Sequence, residues 1–222
     1  MKWPKAVITV SILSFIALVA VLPTLPERLM IYLNVIPLFN FMAPKWAVLA
    51  VGVFPFVIVT GMVNYQKHTK KNAQVQKNQR VENIILPAIA LLIIALPWVS
   101  VLIAKQKPSE PSVQIYALVG GILGIFMIVI GNYMGVVRQN KYLGYKTRWT
   151  MKSEEVWRKT NRTAAYLSVI GGGVLIVFSV FSYFVNMVWV FYVGLILSLT
   201  LLAVVPYGYS YIVYRALQRK AK

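Results

Sequence analysis

The chain has 222 residues, of which 59% are hydrophobic and only 13% are charged, with a formal net charge of +18 and no cysteine. Because about a quarter of the residues in a soluble domain are charged, this composition excludes an ordinary water-soluble protein. Without cysteine, a disulfide framework, a thiolate metal site and a cysteine nucleophile are also excluded.

Six apolar windows of about twenty residues follow one another along the chain, and a helix of that length crosses a ~30 Å hydrocarbon core. None contains Asp, Glu, Lys, Arg or His, and they lie at 6–25, 46–65, 83–104, 113–136, 163–184 and 187–214. Because the windows do not alternate as barrel strands would, we predict an all-α polytopic integral membrane protein with six transmembrane helices. The first window is expected to be a retained helix, since Pro23 and Pro26 stand where a signal cleavage site would be.

The positive charges are unequally divided between the two sides of this predicted bundle. Nineteen of the 23 Lys and Arg residues lie on the side that holds both termini and the connections 66–82 and 137–162. The positive-inside rule therefore predicts that both termini of this multi-pass membrane protein are cytoplasmic. The charge then reflects topology and attraction to anionic lipid rather than direct nucleic acid binding.

The apolar stretch 29–42 between the first two windows is too short to span a bilayer and is interrupted by Asn34, Pro37 and Asn40. We expect it to lie in the outer membrane–water interface or to fold partly back. The chain is expected to divide into three parts, namely helices 1–2 with this loop, the basic loop with helix 3, and helices 4–6, at residues 1–65, 66–112 and 113–222.

The fourth window carries a strip of glycines that predicts close helix packing. Gly120, Gly124, Gly131 and Gly135 fall on one face at ~100° per residue. The fifth window offers a matching strip of small residues, Ala164, Ser168, Gly172 and Ser179. Backbones approach closely along such strips, so packing is favoured here over a substrate passage.

The residue types that most enzymes and ion carriers need are scarce. An ion or proton carrier normally places an ionisable group within its spans, and all six windows lack one. With one His and no Asp, a metal site is not expected, and no cofactor motif occurs. Glu154 and Glu155 follow Ser153, which indicates a capped helix start rather than a carboxylate pair for catalysis. We therefore do not expect an enzyme.

The segment 131–162 is the one place where polar, aromatic and basic residues crowd together. Its candidate partner-binding residues are Asn132, Tyr133, Arg138, Asn140, Gly144, Lys146, Thr147, Trp149, Thr150, Trp157, Arg158, Thr160 and Arg162. Trp149 and Trp157 suit the headgroup level, and the basic side chains could meet phosphates or an acidic partner surface. The alternative is a connector that is merely anchored in lipid.

These residues carry a resemblance to a known family. Gly131, Asn132, Tyr133, Asn140, Gly144, Lys146, Thr147, Trp149, Thr150, Val156, Trp157, Thr160 and Arg162 together resemble the signature of the SdpI family, the membrane immunity proteins of the sporulation-delaying toxin system. The N-terminal part resembles the DUF1648 domain at Leu25, Pro26, Asn34, Lys45 and Trp46. Tyr32 and Asn161 stand where those families usually have His. Lys146 replaces a commoner Arg and cannot make the same bidentate contact.

The resemblance implies a membrane immunity protein that confers resistance to a secreted membrane-active peptide toxin or bacteriocin. A toxin-facing role then falls to the 25–46 segment, through Leu25, Pro26, Tyr32, Asn34, Asn40, Lys45 and Trp46. The resemblance also implies a possible receptor role, in which the segment 131–162 holds a cytoplasmic transcriptional repressor at the membrane. The alternative function is a binder or transporter of lipid or an envelope precursor, which would require a polar cavity.

Overall fold

The computed structural model describes residues 3–31, 41–69, 78–105, 112–141 and 143–220. The helices are α1 Trp3–Val21, α2 Ala47–Thr69, α3 Gln79–Lys105, α4 Val113–Met134, α5 Glu154–Val185, α6 Val188–Leu199 and α7 Val205–Lys220. A π-helical stretch, Thr200–Val204, joins α6 to α7, so the two form one continuous rod. Within the described ranges, six helices are long and apolar enough to cross a membrane. The predicted six-helix integral membrane architecture is confirmed.

A short antiparallel hairpin, absent from the all-α prediction, interrupts the helices. Strand β1, Arg28–Ile31, pairs with β2, Phe41–Pro44, so that Arg28 lies opposite Pro44. The pairing satisfies backbone groups that a segment too short to span would otherwise leave without partners at the membrane surface. The residues 32–40 between the strands, with Tyr32, Asn34 and Asn40, lie outside the described part of the chain.

One compact unit comprises residues 1–68 and 86–115. Its first apolar cluster joins Val7 on α1 to Val59, Val63, Ala90 and Ile94 on α2 and α3. A second cluster holds the hairpin against the helices and consists of Leu18, Leu25, Leu29, Ala43, Val48 and Val101. The indole Nε1 of Trp98 donates a 2.8 Å hydrogen bond to Ser14 Oγ, which links α3 to α1.

The other compact unit comprises residues 69–85 and 116–222 and contains the segment 131–162. Its longest helix, α5, has 32 residues and begins after Ser153, whose side chain accepts a hydrogen bond from the Val156 N–H. Asn186, at φ 53°, ends α5 in the left-handed conformation and lets the chain turn into α6. Ser198 Oγ then donates a 2.7 Å bond to the Gly171 carbonyl oxygen and ties α6 to α5.

Proline explains the π-helical stretch between α6 and α7. Pro206 has no N–H, so an uninterrupted α-helix would leave the Leu202 carbonyl without its helical donor. The chain instead widens by one residue just before the proline, and the Val205 N–H donates to the Thr200 carbonyl. This local widening exposes backbone groups that a neighbouring side chain can reach.

Candidate functional site

The connection from α4 to α5, residues 135–153, is called here the motif loop. Asn140 fixes its first bend, because its Nδ2 donates to the carbonyl oxygens of Arg138 at 2.7 Å and Leu143 at 2.9 Å. Its Oδ1 accepts from the Leu143 N–H at 2.7 Å. Asn140 is buried, and its amide is committed to holding the loop.

The loop is also held from outside by Asn78, just before α3. Asn78 Oδ1 accepts from the Arg138 N–H at 2.8 Å, and Asn78 Nδ2 donates to the Arg138 carbonyl oxygen at 3.1 Å. The sequence analysis missed this residue, because a lone Asn in a polar connection carries no periodic or motif signal. The pair anchors the loop to a segment sixty residues away in the chain.

Gly144 of the motif loop lies beside Asn161 of α5. Gly144 has φ +113°, a conformation that L side chains rarely adopt. The next backbone N–H, that of Tyr145, donates a 2.7 Å bond to Asn161 Oδ1, while Asn161 Nδ2 donates to the Trp157 carbonyl oxygen at 3.1 Å. Asn161 is fully buried, so a neutral amide that both accepts and donates performs the positioning at this point.

Trp157 is packed inside the protein, only 1% exposed. Its indole Nε1 donates a 2.8 Å bond to the Val137 carbonyl oxygen on the opposite side of the loop. Thr160, one turn away, is also fully buried, and its hydroxyl has no hydrogen-bond partner within the described residues. Trp157 and Thr160 therefore shape the interior of this unit and do not present a surface.

Thr147 and Thr150 form a closed hydrogen-bonded turn. The Thr147 N–H donates to Thr150 Oγ1 at 2.8 Å, and the Thr150 N–H donates to Thr147 Oγ1 at 3.1 Å. Thr147 Oγ1 also lies 3.1 Å from Ser210 Oγ on α7. Gln139 Nε2 donates to the Thr150 carbonyl oxygen at 2.7 Å, so the turn is bonded on both sides.

Trp149 lies between this turn and α7, where its ring centroid is 5.3 Å from that of Tyr207 and 5.1 Å from that of Tyr211. The Arg148 guanidinium is 4.5 Å from the Trp149 ring, and the Arg215 guanidinium is 5.1 Å from the Tyr211 ring. Such cation–π contacts hold the two exposed cations on neighbouring rings. Trp149 is only 8% exposed, so the cations and not the indole form the surface.

Trp149 and Trp157, which were expected at the headgroup level, are both buried within the protein. Both rings are packed against protein, and the Trp157 indole N–H is bonded to a buried backbone acceptor. What the segment does expose is its positive charge, on Arg138, Lys146, Arg148, Arg158 and Arg162. Of the remaining predicted residues, Asn132 is exposed and Tyr133 is half-buried, both near the end of α4.

Tyr145 connects the loop to the π-helical stretch. Its hydroxyl hydrogen-bonds the Ala203 carbonyl oxygen and the backbone of Tyr207. These are the two backbone groups that an uninterrupted α-helix would join to each other. Burial, followed by the neighbouring Tyr207, raises the pKa of Tyr145 above its ordinary value, against the opposing effect of the Tyr207 backbone hydrogen bond.

The predicted glycine strip of α4 lies against the small residues of α5. A Cβ on Gly131 would lie 2.8 Å from Ser168 Cβ, and one on Gly124 would lie 2.7 Å from the Gly172 carbonyl oxygen. A Cβ on Gly135 would lie 3.3 Å from that of Ala165, and one on Gly120 would collide with Ser179. The serine hydroxyls at 168 and 179 are buried without a hydrogen-bond partner in the described ranges, so these side chains act here through their small size.

The described residues of the 25–46 segment differ in how far they are exposed. Leu25 is buried in the core of its unit, whereas Pro26 is exposed and Trp46 is 63% exposed. Lys45 Nζ forms a 2.9 Å ion pair with Glu27, and the Lys45 N–H donates to the Glu27 carbonyl oxygen at 2.9 Å. Lys45 thus closes the base of the hairpin.

Glu154 and Glu155, which follow the motif loop at the start of α5, are both exposed. Glu155 pairs with Lys159 at 2.7 Å, one helical turn along α5. The hydrogen bond from Lys159 lowers the pKa of Glu155, and the positive charges of Lys159 and Arg158 add to the effect against slight desolvation. Among the described residues, no group of three or more His, Cys, Asp or Glu side chains could hold a metal ion.

Comparison with known proteins identifies the part of the chain that contains this loop. Residues 136–210 match the SdpI/YfhL protein family. A relative named Immunity protein SdpI, from Bacillus subtilis (strain 168), is 30% identical over 134 residues, which cover 60% of this chain and 62% of the relative. The chain thus matches less than two thirds of that relative's length, and no solved structure matches it. Residues 136–210 of this multi-pass membrane protein are thus similar to the SdpI/YfhL family.

Proposed function

We propose that the protein is an immunity protein that protects its cell from a secreted, membrane-active peptide toxin. The observation that carries this proposal is the 30% identity over 134 residues to a relative named Immunity protein SdpI. Six apolar helices support it, because they place the chain in the bilayer on which such a peptide would act. The unequal distribution of Lys and Arg supports an orientation in which both termini and the motif loop face the cytoplasm.

The toxin-facing surface in this proposal is the hairpin and its flanks. Met42 is 58% exposed and Trp46 is 63% exposed, beside the Lys45–Glu27 ion pair at the hairpin base. In the proposed orientation these residues face outward at the membrane surface. An amphipathic peptide would find apolar area and a fixed charge pair there, which is the composition of a small binding surface.

Expression in a Bacillus subtilis strain that lacks Immunity protein SdpI tests the proposal. We expect cells that express this chain to survive the peptide against which that protein protects, at doses that kill cells with an empty vector. Trp46→Ser should reduce protection, whereas Trp189→Ser, at a 62% exposed tryptophan in the other unit, should not. A chain that is inserted in the membrane and leaves killing unchanged would contradict the proposal for this toxin class.

We further propose that the protein could signal by holding a cytoplasmic repressor at the membrane. The observation that favours this is that Arg148 and Arg215 are held on the neighbouring rings of Trp149 and Tyr211, next to the bonded Thr147–Thr150 turn. A preordered cationic surface loses little conformational entropy when it binds an acidic partner.

In cells exposed to toxin, Arg148→Glu with Arg215→Glu should release a fluorescent fusion of a repressor encoded beside this gene. An unchanged location of the fusion in this double variant would contradict this role.

A further inference from the structure

A groove of about 690 Å³ opens on the surface of the unit formed by residues 69–85 and 116–222, where α4 ends and α5 continues. Arg158 and Arg162 line one end of the groove, Tyr166, Val169 and Ile170 line the other, and Asn132 of α4 also lines it. The groove therefore changes from cationic to apolar along α5. No residue assigned above to the hairpin surface or to the Arg148–Arg215 pair lies in it.

The length of α5 fixes the depth of this groove in a bilayer. The uncharged run that follows Arg162 extends to residue 184, roughly 33 Å of helix, which matches a ~30 Å hydrocarbon core. Arg162 therefore lies at the edge of the hydrocarbon, and Arg158 lies one turn farther toward water. Ile170 is about 12 Å deeper than Arg162, which remains within one leaflet. The groove thus extends from the headgroup layer into the acyl chains.

The two arginines are available for an anion. Arg158 and Arg162 are one helical turn apart on the same face of α5, and both are exposed. Neither guanidinium forms a salt bridge within the described ranges, since the Glu155 carboxylate pairs with Lys159. A guanidinium binds phosphate with two parallel hydrogen bonds, and the exposed Asn132 amide lies in the same groove.

The apolar end of the groove has the surface that an acyl chain requires. Tyr166 is 60% exposed, Ile170 is 55% exposed and Val169 is 38% exposed. A soluble anion such as inorganic phosphate would leave this apolar surface unused. A zwitterionic lipid would fill it but would place its own cation beside the arginines. An anionic phospholipid matches both ends.

We propose that this groove is a binding site for an anionic phospholipid. The phosphate lies on Arg158 and Arg162, and an acyl chain follows α5 past Tyr166 to Ile170. Lipid binding here is a property separate from toxin protection and repressor docking, and it does not depend on either. It would fix the tilt and depth of α5, and through α5 the position of the motif loop at the membrane surface.

Lipid retention by the purified full-length chain, measured by native mass spectrometry, tests the proposal. The chain is titrated with phosphatidylglycerol and with phosphatidylcholine that carries the same acyl chains. We expect phosphatidylglycerol to bind at least about tenfold more tightly, since each Arg near the surface contributes about a factor of five. Glycerol phosphate in excess should not displace it, because it has no acyl chain to occupy the apolar end.

Matched variants separate a site from general charge attraction. Arg158→Gln with Arg162→Gln should abolish the preference for phosphatidylglycerol, and Arg158→Lys with Arg162→Lys should restore part of it. Arg148→Gln with Arg215→Gln removes the same charge elsewhere in the unit and should keep the preference. Equal binding of the two lipids by the parent chain, an equal loss in both glutamine pairs, or displacement by glycerol phosphate would overturn the proposal. Protection from toxin is measured separately, so its failure would leave this result standing.

Discussion

The Trp157 ring occupies the space that a side chain on Gly144 would need. A Cβ on Gly144 would lie 2.6 Å from Trp157 Cζ2 and 2.8 Å from Asn161 Oδ1. Gly144 also has φ +113°, so both the backbone conformation and the packing require glycine at this position. The conformation of Gly144 forms the bend that points the Tyr145 N–H toward Asn161.

Gly144→Ala should therefore destabilise the motif loop. Backbone strain of about 1–2 kcal/mol and the clash with a rigid ring should together lower the free energy of unfolding by about 2 kcal/mol or more. The measurement is an unfolding titration of the purified chain in mixed micelles. Gly208→Ala is the matched control, because a Cβ there meets nothing within 4 Å. It should be neutral or stabilise by up to ~1 kcal/mol. Equal effects of the two alanines would contradict this account of Gly144.

The indole N–H of Trp157 gives a second prediction. Trp157→Phe keeps an aromatic ring but leaves the Val137 carbonyl oxygen without the 2.8 Å bond it now accepts. A buried acceptor without a partner costs about 1–3 kcal/mol, and the smaller ring adds a cavity. The same titration should show this loss, whereas Trp189→Phe, at a 62% exposed position, should change the free energy of unfolding by no more than ~0.5 kcal/mol. A loss in Trp157→Phe no larger than in Trp189→Phe would argue against a structural role for the N–H.

The helices could be predicted from the sequence because their signal is local. Each of the six windows is apolar and uncharged for about the length that a bilayer requires, and the described helices cover all six. The start of α5 could also be predicted, because Ser153 followed by Glu154 and Glu155 is a capping pattern. In the structure the Ser153 side chain caps the helix. Both signals lie within a single turn or a single span.

The interior of the motif loop could not be predicted, because its bonds join distant parts of the chain. Asn78 reaches Arg138 across 60 residues, and Thr147 reaches Ser210 across 63 residues. Neither pair has a spacing that a periodic pattern could indicate. The burial of Trp157 could not be predicted for the same reason, since its partner, the Val137 carbonyl, is a backbone group that no sequence pattern marks.

The packing of α4 on α5 gives a third prediction. A Cβ on Gly124 would lie 2.5 Å from Ile176 Cγ1 and 2.7 Å from the Gly172 carbonyl oxygen, and the backbone contact cannot relax by a rotamer change. Gly124→Ala should force the helices apart and destabilise the unit by about 1–3 kcal/mol. Gly121→Ala, three residues earlier on the same helix, meets nothing within 4 Å and should be neutral or slightly stabilising. If both variants unfold at the same denaturant concentration, the close approach is not required for stability.

The hydroxyl of Tyr145 predicts how stability changes at alkaline pH. Burial, followed by the neighbouring Tyr207, raises the pKa of this group in the folded chain. Below about pH 10 the hydroxyl is neutral in both states, and its stabilising contribution is fully present. As the pH rises, the unfolded chain loses this proton first, so the contribution is lost as the pH passes through the raised folded pKa.

Tyr145→Phe removes this group and its bond to the Ala203 carbonyl oxygen. At neutral pH the variant should be less stable by about 1 kcal/mol, because the Ala203 carbonyl loses a donor. Above pH 10 its free energy of unfolding should fall less steeply than that of the parent chain, so that the two curves converge. Tyr183→Phe, at a half-exposed ring on α5, controls for the loss of a tyrosine hydroxyl at neutral pH and should leave stability unchanged there. Parallel curves for the parent chain and Tyr145→Phe across the alkaline range would mean that the hydroxyl is not held at the Ala203 carbonyl oxygen as the structure has it.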